Sequence, residues 1–126
     1  MNNAQIKILK DLETSHLSNS ELDINILNSL LIEPGHHQHQ LIAKILQDAK
    51  NPSSIPFVRK ALETNFDYLG YTCSEPEVIA KWFSWLLFSI GTEEAINLIE
   101  EYTKSPNEGI SSEMKYRLAK VRSRNN

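Results

Sequence analysis

Apolar residues recur along this chain at intervals of three and four, with almost no strict alternation, a spacing that predicts helices rather than strands. Ile6, Leu9 and Leu12 form one stripe over 3–13. A denser stripe of Leu22, Ile26, Leu27, Leu30 and Leu31 covers 20–32, with Ser18 and Glu21 at capping-box spacing ahead of it. After the turn "EPG", a third helix is expected over 36–49, with Leu41, Ile42, Ile45, Leu46 and Ala49 on one face. "KNPSS" breaks it, and a fourth helix over 54–65 carries Ile55, Phe57, Val58, Ala61 and Leu62. The stretch "NFDYLGYTCSEPE", 65–77, reads as the longest irregular segment. A fifth helix should open with Ser74 as N-cap, Pro76 in the first turn and Glu77 closing a second capping box, and end at Ile90 before Gly91. Thr92 caps a sixth, with Glu93 and Glu94 where the helix dipole favours anions. The last, over 110–122, uses Ile110, Met114, Leu118 and Val121, and the tail "RSRNN" is expected to fray. The fold class is all-α, with about seven helices.

These helices repeat. Set against each other without gaps, 41–62 and 82–103 match at an offset of 41 residues. Leu41 and Ile42 meet Trp82 and Phe83; Ile45 and Leu46 meet Leu86 and Leu87; Ile55, Phe57 and Val58 meet Ile96, Leu98 and Ile99. The helix break falls at the same place, Asn51 against Thr92. A two-helix period of this length lies in the HEAT and armadillo range. The expected architecture is therefore a short α-α superhelix in a single domain, 1–126. In it 1–35 form N-terminal cap helices, 36–65 and 74–104 two repeat units, and 108–122 a C-terminal cap helix. Stacking is what buries the one apolar face of each pair. The fifth helix, apolar nearly all round from Val78 through Trp82, Phe83, Trp85, Leu86 and Phe88 to Ile90, should be the central and most buried one.

Composition narrows the picture without redirecting it. With 126 residues, 40% apolar and 23% charged, the chain suits one domain that needs no disulfide or metal to hold it together. A net charge of −3 does not suggest direct nucleic-acid binding. The single cysteine, Cys73, excludes an internal disulfide framework and fits a reducing cytoplasm; with no histidine near it in sequence, it reads as a bystander. No secretory signal is expected from "MNNAQIKILKDL", and "WFSWLLFSI", 82–90, is too short to span a bilayer. No membrane association is expected. Charge is uneven: 75–104 hold six acids and two bases, 105–126 five bases and two acids, and 1–35 are net −3.

"EPGHHQHQ", 33–40, is the one stretch that looks like chemistry. His36 and His39 are three apart and imidazole is a good zinc ligand, so a metal site is one reading. Against it, no glutamate or cysteine stands at ligand spacing, no HExxH is present, and His16 is remote. A polar helix opening is the second reading, and a partner contact through His37 and His39 the third. The loop's Asp67, Tyr68, Tyr71, Glu75 and Glu77 combine aromatic anchors with carboxylates, which suits an interface hot spot. They suit equally a loop pinned by its own aromatics. Glu100 and Glu101 lie on the second helix of the second repeat, on the surface solenoids use for binding. No glycine-rich phosphate loop or nucleophile elbow appears, so neither catalysis nor a cofactor is expected.

"ILQDAKNPSSIPFVRKALE" resembles the HEAT consensus, in which a short polar turn leads into a proline-containing second helix; Pro56 and the apolar pair after it stand where that consensus has them. The longer run from "LLIEPGHHQHQ" to "NLIEEY" is similar to small bacterial HEAT-like proteins, and the likeness covers about 30–122. The resemblance implies an immunity protein of a polymorphic or contact-dependent toxin system. Such a protein would be an antitoxin that neutralises a cognate toxin domain, a basic nuclease in the first instance, by stoichiometric binding in the cytoplasm. A general protein–protein interaction adaptor stays open beside it, as does a small metal-dependent protein using His36, His37 and His39.

Overall fold

The computed structural model describes residues 1–14 and 23–124, and among these it is helical throughout, without a strand. Helix α1 spans Asn3–Thr14, α2 Ile24–Leu31, α3 His39–Ala49, α4 Ile55–Glu63, α5 Pro76–Ile90, α6 Glu93–Tyr102 and α7 Glu108–Arg124. Two 3-10 segments, Pro52–Ser54 and Asp67–Thr72, join them. No helix among the described residues is long and apolar enough to cross a membrane.

Local chemistry explains the ends. Helix α1 opens on a reciprocal pair: the Asn2 carboxamide accepts from the Gln5 N–H, and the Gln5 carboxamide accepts from the Asn2 N–H, both at 2.9 Å. This is a capping box made with amides. Helix α2 is capped by Asp23, whose carboxylate accepts from the N–H groups of Asn25 and Ile26. The expected opening at Ser18 and Glu21, along with Leu22 and His16, lies outside the described residues. Thr92 caps α6 by accepting from Ala95 N–H, and Gly91 ends α5 in the left-handed conformation, both as the sequence predicts.

Three expectations need correction. Helix α3 starts at His39 rather than at residue 36, because the His36 side chain is drawn to the Leu30 carbonyl and takes the Gln38 N–H, as described below. No capping box forms on α5: Glu75 is the N-cap and makes no side-chain bond, while the Ser74 hydroxyl turns back to the Thr72 carbonyl at 3.4 Å. Helix α7 is longer than expected, running from Glu108 through Arg124, whose guanidinium rests 4.3 Å from the Phe88 ring centroid. That cation–π contact gives the final turn something to pack on.

Helix α5 packs on α3, α4, α6 and α7; α2 packs on α3 and α4, α4 on α6, and α1 on α2. One continuous core runs from Ile8 and Leu12 through Leu46 and Phe83 to Met114 and Val121. The 65–77 stretch is tied into it rather than loose. Phe66 stacks on Phe83 at 5.3 Å and Leu69 is fully buried. To achieve this, Asn65 and Phe66 both adopt left-handed backbone angles, a conformation that costs about 1–2 kcal/mol per non-glycine residue. Burying a phenylalanine side chain contributes a gain of similar size, about 1.5–3 kcal/mol. Two polar ties add register: buried Asn28 on α2 donates to the Ser53 hydroxyl and accepts from the Ser54 hydroxyl, and Gln47 donates to the Trp82 carbonyl.

Helices α5 and α7 run side by side in the same direction: Gly109 meets Glu77 near their starts, and Arg124 meets Phe88 near their ends. A Cβ at position 109 would lie 2.8 Å from the Glu77 backbone nitrogen, so only glycine allows this closeness. The all-round apolar reading of α5 overstates its burial. Ile79, Trp82, Phe83, Leu86 and Leu87 are buried, whereas Val78 and Trp85 are exposed. Phe83→Ala should therefore destabilise the chain by about 3–5 kcal/mol, read as a lower urea midpoint with an unchanged slope.

Candidate functional site

The histidine segment and the 3-10 segment after α4 meet. The last carbonyls of α2 need donors, as at any helix end. The His36 Nε2–H donates to the Leu30 carbonyl at 2.8 Å, and the Tyr68 hydroxyl donates to the Leu31 carbonyl at 2.8 Å. The His39 Nε2–H reaches the Glu33 carbonyl at 2.7 Å. Carbonyl oxygens only accept, so both rings carry their proton on Nε2 and offer Nδ1 as acceptor. Each Nδ1 is then filled: His36 accepts from the Gln38 N–H at 3.1 Å, and His39 from the Tyr71 hydroxyl at 2.6 Å.

The rings also stack. His36 lies on His39 at 3.8 Å between centroids, Tyr68 meets His39 edge-on at 5.2 Å, and His37 stacks on Tyr71 at 4.5 Å. His39 is 1% exposed and His36 is buried. Burial pushes both imidazoles toward neutrality: the His39 pKa falls to about 4, mainly through desolvation and against the pull of the Glu33 carbonyl, and His36 is lowered for the same leading reason. Burial likewise raises the Tyr68 and Tyr71 hydroxyls above the usual phenol value, so both stay protonated donors.

This arrangement settles where each expected residue stands. His36 and His39 have every ring nitrogen engaged, so neither offers a lone pair to a metal. Among the described residues, no group of three or more His, Cys, Asp and Glu side chains is placed to hold one. His39 is buried and Tyr68 half-buried, and the hydrogen bonds of both serve the fold. The loop is pinned by Phe66, Tyr68 and Leu69. Tyr71, His37, Asp67, Glu75 and Glu77 remain exposed. The exposed His37 edge opens onto a groove of about 510 Å3 that Gln40, Leu41, Lys44, Gln47 and Trp82 complete.

Glu100 and Glu101 are exposed on α6, but Glu101 is paired with Arg59 of α4 at 2.7 Å, which halves the free charge expected there. Cys73 is exposed, in a left-handed turn.

Sequence reasoning missed a second constellation. Glu113 and Arg117 of α7 are 4% and 3% exposed and pair with each other at 3.5 Å. The Ser84 hydroxyl donates to Glu113 and lies 3.4 Å from Arg117 Nε. The Arg117 guanidinium sits 4.2 Å from the Trp85 ring centroid. The i, i+4 spacing of Glu113 and Arg117 was visible in sequence, but it reads by default as a solvated helix face.

Compared with known proteins, the chain matches no family model, no curated protein and no solved structure.

The neutral histidines make stability depend on pH with a definite sign. A histidine whose pKa is lower folded than unfolded contributes stability that is fully present above about 6.5 and is lost as pH falls toward the folded value. Unfolding free energy should accordingly drop below pH 6.5 and keep dropping to about 4, by at most about 1.4 kcal/mol per pH unit for each group. Tyr71→Phe removes the donor that favours neutral His39, so NMR titration of that variant should find the His39 pKa raised.

Proposed function

We propose that this chain is a small HEAT-like α-solenoid that binds and neutralises a cognate bacterial toxin domain, a basic nuclease in the first instance, by stoichiometric binding. The observation that carries the partner-binding part is the exposed Tyr71–His37 stack at the mouth of the 510 Å3 groove, with the exposed carboxylates Asp67, Glu75 and Glu77 along the same 67–77 segment. An aromatic pair beside a groove supplies apolar anchor area, and exposed carboxylates elsewhere on the 67–77 segment favour a basic partner and speed its encounter. Tyr71 is held by its bond to buried His39, so little side-chain freedom is lost on docking.

The solenoid part of the reading is supported by the packing. The 41-residue offset equates α3 with α5 and α4 with α6, and each equated pair is in contact. The Arg59–Glu101 ion pair joins the second helices of the two units. The toxin part rests on the resemblance of the sequence to small HEAT-like immunity proteins and on the acidic character of the exposed 67–77 segment. The reading assigns no catalytic residue and no cofactor. An adaptor is the second reading, favoured by one observation: the exposed face of α5 and α7 around Trp85 differs chemically from the Tyr71 face, and an adaptor needs two faces.

Co-expression with a toxin encoded beside its gene tests the first reading: growth should be restored and a one-to-one complex recovered. Soluble expression without rescue sinks it. With the complex in hand, Tyr71→Ala and His37→Ala should each weaken binding about tenfold or more, the scale of a hot-spot truncation, and reversal of Glu75 and Glu77 to Lys should slow association.

A further inference from the structure

Trp85 is 41% exposed and Tyr116 54% exposed, midway along the neighbouring helices α5 and α7. Large aromatics left in water on the best-packed helix of a fold ask for an explanation. Trp85 is not loosely placed. The buried Arg117 guanidinium lies under its indole at 4.2 Å, and the Phe88 ring meets it edge-on at 5.5 Å. Arg117 makes only long bonds, at 3.4 Å to Ser84 and 3.5 Å to Glu113, and Glu113 adds one bond from the Ser84 hydroxyl at 3.1 Å, although both are almost fully enclosed. Burying such a pair is costly and gives little net stability. What it does give is a rigid, upright tryptophan, the kind of preorganised anchor that dominates interfaces.

The charges on either side of this anchor have an order. Because α5 and α7 run in the same direction, Glu75, Glu77 and Glu108 gather at one end of their seam, around a groove of about 420 Å3. Lys120 and Arg124 stand at the other end, their cations 5.4 Å and 4.3 Å from the Tyr116 and Phe88 ring centroids. All five charged residues are exposed. A polyanion such as a nucleic acid would meet repulsion at the acidic end. A surface that is negative at one end, aromatic in the middle and positive at the other complements itself when turned by 180° about an axis through its middle. That is the requirement of an isologous two-fold interface.

We propose that the α5–α7 seam is a self-docking surface whose occupant is a second copy of this chain, related by a two-fold axis passing between Trp85 and Tyr116. Glu75, Glu77 and Glu108 of each copy face Lys120 and Arg124 of the other, and the two Trp85–Tyr116 pairs meet at the axis. Lys81, exposed beside Trp85, lies over the aromatics of the second copy. Size sets the strength. Helices of this length run about 25 Å and are about 10 Å wide, so the seam offers roughly 500 Å2 per copy. The total of roughly 1,000 Å2 is at the lower limit for a specific interface, so the dimer is of the weak, reversible kind. This inference does not rest on the toxin reading: the two share Glu75 and Glu77, but Tyr71 and His37 take no part in self-docking and its test needs no toxin.

Sedimentation velocity of the full chain from low to high micromolar concentration tests it. The wild type should shift from monomer to dimer, and high salt should reverse the shift. Glu75→Lys with Glu77→Lys in one variant, and Lys120→Glu with Arg124→Glu in another, should each weaken self-association by about tenfold or more. The decisive arm is the equimolar mixture: in a two-fold arrangement each variant's reversed end meets the other's, so a heterodimer should form where neither variant pairs with itself. Circular dichroism of each variant confirms that these exposed changes leave the fold intact. A wild type that stays monomeric at all concentrations overturns the proposal and assigns the seam to a foreign partner. Variants that dimerise like the wild type, or a mixture that stays monomeric, overturn it as well.

Discussion

Helix α5 has more apolar surface than a single neighbour can cover, and the rest of the arrangement follows from that. Ile79, Trp82, Phe83, Leu86 and Leu87 point to different sides of one helix and are all buried, so α5 must be enclosed by several helices at once. It touches α3, α4, α6 and α7. The close approach to α7 depends on Gly109, and the 65–77 segment is drawn in by Phe66 against Phe83. Because hydrophobic burial has no direction of its own, the directional ties set the register: Gln47 to the Trp82 carbonyl, Ser84 to Glu113, and Arg59 to Glu101.

The histidines show how a polar cluster becomes part of a core. Helix α2 is only eight residues long and ends without glycine or lysine to satisfy its last carbonyls. The His36 imidazole and the Tyr68 phenol supply donors to the Leu30 and Leu31 carbonyls instead, and His39 serves the Glu33 carbonyl just beyond the helix. Because every nitrogen and hydroxyl is matched, the cluster can be buried without the penalty of an unsatisfied polar group. Among the described histidines, the same matching leaves His37, whose ring is stacked but exposed, free to meet another molecule.

What the sequence made legible was local. Helices α3 to α7 exist where apolar spacing places them, with only their ends shifted, and Thr92 and Gly91 act as their identities predict, because a helix and its caps are decided by residues within one or two turns. Tertiary partners decided the rest. Ser74 looks like an N-cap until the Thr72 carbonyl takes its hydroxyl. His39 looks like a surface residue because the tyrosine that completes it is 32 positions away. Arg117 looks solvated because Ser84, Trp85 and Glu113, which enclose it, belong partly to another helix. The Tyr71 face was reachable from sequence, since aromatic and acidic residues alternate there. The Trp85 seam was not, since nothing in a helix apolar on most sides says which aromatic will be left outside.

Gly109 also has a bearing on how this chain can vary. Its backbone contact with Glu77 sets the separation of α5 and α7 at their starts, while Arg124 on Phe88 holds their ends. Any side chain at 109 acts as a wedge inserted at one end of a clamped pair, so the helices splay rather than slide. The angle between them, and with it the spacing of every group on their shared outer face, is tuned by a residue that presents no side chain to that face at all.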